Sequence, residues 1–96
     1  MLNQKSAKIA PVVLVTGGAK RVGAAIVKRL HQEGWRVAIH YRASADAAAA
    51  LAATLNALRA NSAIIVQADL LQTATLGTLV EQVIAAYGQL DALVNN

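Results

Sequence analysis

The chain has no cysteine and no phenylalanine, one tryptophan, one proline and only five acidic residues among its 96. Without cysteine there is neither a disulfide framework nor a thiolate metal site, which fits a reducing compartment such as the cytoplasm. Aromatics make up 3% of the residues, so Val, Ile, Leu and Ala must fill any core. No apolar run approaches the roughly 18 residues of a membrane span. The opening "MLNQKSAKIAP" is too short and polar for a secretory signal, and residues 1–10 are expected to be a flexible leader. His31 and His40 stand far apart with no carboxylate at ligand spacing, so no metal is expected. The net charge of +4 raises the question of nucleic acid. However, the Lys and Arg residues are scattered, with no interleaved aromatics for base stacking, so neither nucleic acid nor membrane is expected as a partner.

What the chain does have is apolar material, 56% of its residues, arranged in two alternating patterns. "VVLV", roughly Val12 to Val15, is an unbroken β-branched run closed by glycines and reads as a buried strand. From Lys20 to Gln32, Val22, Ile26 and Leu30 recur every fourth position beside Ala25, one stripe of a helix that Gly34 stops. "WRVAIHY", from Trp35, is a second strand. Ser44 then suits an N-cap, with Asp46 near the positive helix start and Leu51, Leu55 and Leu58 along one face. "AIIVQA", Ala63 to Ala68, is a third strand. Leu76, Leu79, Val80, Val83, Ile84 and Tyr87 stripe a third helix ended by Gly88, and Leu90 to Val94 is a fourth strand.

Strands apolar on both sides, alternating with amphipathic helices, imply an α/β fold with a parallel sheet covered by helices. Right-handed crossovers leave the doubly wound, Rossmann-type order 3-2-1-4, with a crevice between strands one and four. The same handedness places the first two helices on one face and the third on the other. Residues 11–96 carry this whole pattern. The outer edge of strand four has no partner within this stretch, so residues 1–96 alone are expected to associate.

Four signals fall at strand ends on one edge of that sheet. The first is "TGGAKRVG", Thr16 to Gly23, joining the first strand to the first helix, where free N–H groups and the helix dipole favour a pyrophosphate. A P-loop is excluded: Gly18 and Gly23 have the right gap, but Ala24 and Ala25 stand where Lys and Ser/Thr must follow. Glycines needed only for the shape of the turn are the alternative. The second is "HYRAS". A site for NAD places an acid about 20 residues beyond the first glycine to bind the ribose hydroxyls, yet no acid precedes Asp46. Arg42, Ser44 and Arg21 suit a 2′-phosphate instead, and a plain solvated strand end is the competing reading. The third is Asp69, beside Leu70, able to accept from an adenine amino group or to cap the next turn. The fourth is Asn95 and Asn96, which can satisfy backbone groups around the crevice or serve as buried polar scaffolding.

Together these residues resemble the short-chain dehydrogenase/reductase superfamily, whose signature reads TGxxxGxG, with an aspartate after strand three and NNAG or NNAS after strand four. Arg21 stands where that signature has its middle glycine. With "HY", "QADL" and "LVNN", "TGGAKRVG" resembles the pteridine reductase branch and its bacterial dihydromonapterin- and dihydrofolate-reducing relatives, from about Val12 to Asn96. The resemblance implies NADP(H) as cofactor and a pteridine or folate as substrate, with cofactor contacts from Gly17, Arg21, Val22, Gly23, His40, Tyr41, Arg42, Ser44, Asp69, Leu70, Asn95 and Asn96. It implies that Arg21 reaches both the phosphates and the pterin site, that Val22 borders the nicotinamide, and that His40, Tyr41, Arg42 and Ser44 surround the adenosine phosphate. Lys20 is expected to face solvent. The family's Tyr-x-x-x-Lys pair and the aspartate that works with it lie beyond strand four, so the resemblance implies that residues 11–96 are the N-terminal cofactor-binding part of an incomplete Rossmann-fold reductase domain, with no catalytic residue. Tyr41 and Tyr87 have no Lys four residues on. A cytoplasmic homo-oligomer, a tetramer when complete, follows from the same resemblance. Another short-chain reductase, for 3-oxoacyl carrier-protein or sugar substrates, and a non-catalytic nucleotide-binding module are the other readings.

Overall fold

Four apolar runs become strands β1 (Val12–Val15), β2 (Arg36–Tyr41), β3 (Ala63–Gln67) and β4 (Ala92–Val94). Between them lie helices α1 (Arg21–Gln32), α2 (Ala45–Leu58) and α3 (Leu76–Tyr87). The computed structural model describes residues 9–70 and 75–96; the leader read over residues 1–10 lies outside these except at Ile9 and Ala10. The sheet is parallel throughout, in the order β3-β2-β1-β4. Val13 sits opposite both Val37 and Ala92, and Val37 sits opposite Ala63. The doubly wound order read from the sequence is the order observed.

Strand periodicity divides the core in two. Val13, Val15, Val37, Ile39 and Ala63 pack against Val27 of α1 and against Ala48, Leu51, Ala52 and Leu55 of α2. Val12, Leu14, Ala38 and Val66 point the other way and meet Leu79 and Val83 of α3. Right-handed crossovers thus put α1 and α2 on one face and α3 on the other. Gly88, at φ +77°, ends α3, and its N–H closes on the Ile84 carbonyl. Among the described residues no helix is long and apolar enough to cross a membrane.

The buried face of α1 is not the one the apolar spacing suggested. Gly23, Val27 and His31 are buried, Ile26 and Leu30 flank them half-buried, and Val22 is 65% exposed. Close approach of the helix start to the glycine turn demands Gly23 on the inner side, and that fixes the rotation of the whole helix. His31 tolerates burial because its Nε2 lies 2.7 Å from the Ser62 hydroxyl. Burial, then the Arg59 guanidinium, holds the His31 pKa below its ordinary 6.5. The neutral ring is therefore the stable form, and its contribution is lost as pH falls through 6.5 toward the lowered value. Leu58, expected on the apolar face of α2, is 74% exposed at the last helical position. Ends also shift: Trp35, Ala68, Leu90 and Asp91 fall outside the strands and Lys20 caps α1.

The edge of the sheet opposite the glycine turn is tied by side chains to backbone. Asp91 Oδ2 accepts from the Val12 N–H at 2.8 Å and from Gln89 Nε2 at 2.7 Å. Arg36 donates to the Ala10 carbonyl through Nε and Nη2, and its guanidinium stacks 4.5 Å from the Tyr87 ring centroid. These bonds, the Val12 N–H first and then Gln89, hold the Asp91 pKa below its ordinary 3.8. A depressed acid stabilises the fold above its unfolded pKa, and the gain is lost as pH falls through the folded value. The Tm difference between wild type and Asp91→Asn is thus expected to be widest near neutrality and to close on acidification below about pH 4. A difference that stays constant down to pH ~2 contradicts this clamp.

Candidate functional site

The carboxyl ends of the four strands bring Thr16–Lys20, Arg42–Ser44, Ala68–Leu70 and Asn95–Asn96 to one edge. The strand order reverses there between β1 and β4, the position at which open α/β sheets bind ligands. The glycine turn at its centre is fixed from every side. Gly17 adopts φ +59°. Thr16 is buried, its N–H donates to the Val94 carbonyl, and its Oγ1 accepts from the Asn96 N–H at 2.9 Å. Asn96 Nδ2 donates to the Gly17 carbonyl at 3.2 Å, and Thr16 Oγ1 lies 3.2 Å from Asn95 Oδ1. Asn95 and Asn96 therefore act on the turn itself, although both remain exposed.

Gly23 closes the turn from the helix side. A Cβ there would lie 1.9 Å from the Gly17 carbonyl oxygen, so only glycine lets the first turn of α1 sit this close. The first-turn amides of a helix have no carbonyl partner within it, and here they open toward the crevice end. Arg21 is one of two non-glycine residues with positive φ among those described, at +54°. A side chain in that region carries strain of about 1 kcal/mol or more. The strain falls at the position where the superfamily signature has glycine.

Beside the turn lies a hollow of about 200 Å³ lined by Gly17, Ala19, Lys20 and the run from His40 to Ser44. A second, of about 410 Å³, continues from it along Lys20 and Ala43 to Ala47. Arg42 and Lys20 are exposed and bring two cations to this rim. Ser44 precedes α2 but makes no capping bond with its side chain, so its hydroxyl is not committed to the helix. Asp46 lines the second hollow, on the first turn of α2 where the helix dipole favours a carboxylate. The donor set of the first hollow thus suits an anion, and among the described residues no acid lines it.

The other expected residues fall as follows. Tyr41 is half-buried, packed against the core on the α1–α2 side, and its carbonyl accepts from Ala68. Asp69 and Leu70 are half-buried just beyond β3, with Leu70 packed on the α3-side core. Val22 is exposed at the start of α1. His40 is buried, and both of its ring nitrogens are engaged by backbone, Gly17 N–H at Nδ1 and the Ala68 carbonyl at Nε2. Lys20, read only as a solvent-facing cation, is exposed but lines both hollows. Its position between turn and helix was the signal available, and only the folded loop shows which way it faces. Among the described residues no group of His, Asp or Glu is placed to hold a metal.

Known proteins align along this whole unit. The short chain dehydrogenase family matches residues 11–96. Pteridine reductase 1 of Leishmania tarentolae is 47% identical over 91% of this chain and 36% of its own length. A putative ketoacyl reductase of the granaticin polyketide synthase of Streptomyces violaceoruber is 38% identical over 91% of the chain and 33% of its length. A 3-oxoacyl-(acyl-carrier-protein) reductase of Staphylococcus aureus is 32% identical over 93% of the chain and 36% of its length. The chain spans about a third of these relatives.

Proposed function

The chain belongs to the short chain dehydrogenase family, and from that membership we propose that it forms the NADP(H)-binding portion of a reductase acting on pteridines. The observation that carries the cofactor half of this reading is the hollow after β2, with Lys20, Arg42 and Ser44 on its rim and no carboxylate among the described residues that line it. A ribose bearing only hydroxyls calls for an acid there; a 2′-phosphate calls for cations and a hydroxyl. In this reading the amides at the start of α1 meet the pyrophosphate and Asn95 and Asn96 keep the turn in shape for it. Arg21 serves the phosphates and the pterin. Asp69 and Leu70 border the adenine, and Val22 the nicotinamide. The bound dinucleotide supplies hydride to the substrate.

The pteridine half rests on Arg21 and on the 47% identity to a protein named pteridine reductase. Strained backbone persists where the surroundings and the function over-determine it. Replacing Arg21 by glycine removes a side chain from a φ of +54°, so the fold is expected to be retained or slightly stabilised. Dihydropteridine reduction is expected to fall by about 10-fold or more, the loss of one charge-assisted hydrogen bond. An unchanged kcat/KM returns Arg21 to a solvated helix end. The reading as a whole is tested by assaying the intact protein with NADPH against a dihydropteridine and a 3-oxoacyl thioester. Turnover of the dihydropteridine supports it; turnover of the thioester alone places the protein among the other reductases of the family.

A further inference from the structure

His40 does more at this edge than border it. The imidazole, 6% exposed at the end of β2, receives the Gly17 N–H on Nδ1 at 2.9 Å. The main-chain carbonyl of the same residue receives the next amide, that of Gly18, also at 2.9 Å. One residue therefore takes two consecutive amides of the glycine turn. The opposite ring nitrogen, Nε2, lies 2.9 Å from the carbonyl of Ala68, just beyond β3.

These contacts fix the chemistry of the ring. Nδ1 accepts from an amide, so it carries no hydrogen; Nε2 faces a carbonyl, which can only accept, so it must carry one. The other neutral tautomer would fail at both ends. β1 and β3 are not neighbours in the sheet. The ring reaches across β2 and ties the exit of one to the exit of the other.

On the reading that this edge binds a dinucleotide, we infer that His40 is a positioning residue: a single-tautomer imidazole that sets the glycine turn, where the pyrophosphate lies, against the Ala68–Leu70 segment, where the adenine lies. Gly17 and Gly18 amides are spent on His40, so the phosphates are left to the amides farther along, at the start of α1. A shift of the turn relative to the β3 exit misplaces the two ends of one rigid ligand. Losing one charge-assisted contact to that ligand costs roughly 10- to 150-fold in affinity.

The test uses the intact protein and two substitutions. His40→Phe keeps the ring volume and removes both nitrogens. His40→Gln keeps one acceptor and one donor, spaced about as in imidazole. NADPH affinity is followed by fluorescence titration well below each variant's Tm, and the wild-type ring by histidine-labelled ¹⁵N NMR. The expected results are an Nε2–H tautomer in the wild type, NADPH Kd raised roughly 10- to 150-fold by His40→Phe, and partial recovery by His40→Gln. Should His40→Phe fail to fold, His40→Gln and the tautomer still decide: an Nδ1–H ring, or Gln binding NADPH no better than a fully disrupted site, overturns the inference. A folded His40→Phe protein with wild-type Kd overturns it as well, reducing His40 to a core residue. Failure of the unaltered protein to bind either NADPH or NADH overturns the functional reading and the positioning role with it. That outcome is distinguishable because it appears before any substitution is made.

Discussion

Gly23→Ala is expected to weaken dinucleotide binding roughly 10- to 150-fold and to lower the Tm, although it adds a single methyl group. The added carbon would sit 1.9 Å from the Gly17 carbonyl oxygen and 2.8 Å from its carbon. Neither partner is free to yield. The Gly17 N–H is held by His40, its carbonyl by Asn96, and the adjoining Thr16 by β4. Relief requires the turn or the whole start of α1 to move by more than about 1 Å, at a cost of roughly 1–3 kcal/mol or above. The same movement carries the α1 amides away from the phosphates, and each hydrogen bond to a charged group lost there costs roughly 10- to 150-fold in affinity. Gly77→Ala is the matched control. Among the described residues its Cβ would meet only Thr75 Oγ1, at an ordinary 3.5 Å, and removing a helical glycine stabilises by about 0.4–1 kcal/mol. Thermal melts and NADPH titrations of both variants in the intact protein check the contrast. Equal behaviour of the two would mean that the close approach of α1 to the turn has no consequence.

Arg42→Asp is expected to reverse the cofactor preference. A hydrogen bond to a charged group contributes roughly 1.5–3 kcal/mol, so NADPH binding should weaken about 10- to 150-fold. The new carboxylate also repels the 2′-phosphate and offers an acceptor to ribose hydroxyls, so NADH affinity is expected to hold or improve. Lys20 faces the same hollow, and Lys20→Ala should weaken NADPH further while leaving NADH nearly unchanged. Dissociation constants for both dinucleotides, measured on each variant at one ionic strength, decide it, because surface charge effects fall with salt. An Arg42→Asp protein with the wild-type ratio of the two would remove Arg42 from the phosphate site.

The parts of this fold set by local pattern were legible in the sequence. Alternating apolar runs and helical stripes named every element, and crossover handedness placed α1 and α2 together opposite α3. The misreadings arose where tertiary contacts outweigh pattern. Val22 looked like a core residue because it keeps step with Ile26 and Leu30, yet the need for Gly23 at the turn rotates it outward. Leu58 looked buried by the same spacing, but at the last position of α2 it is 74% exposed. Ser44 was legible as the start of a helix, whereas the absence of a side-chain cap emerges only from its backbone angles, φ −93° and ψ 57°. At the site, glycine positions, the missing acid after β2 and the two asparagines could be read directly. The direction of Lys20 and the two-ended bonding of His40 could not, since each depends on partners more than 20 residues away or on the path of a loop.

Titration of the unaltered intact protein with NADPH and with NADH, side by side, tests the central claim most directly. Two cations and an uncommitted hydroxyl at the rim of the hollow after β2 predict that NADPH binds about 10-fold or more tightly than NADH, with the advantage shrinking as salt is raised. Equal affinities, or tighter binding of NADH, would contradict the assignment of that hollow to a 2′-phosphate.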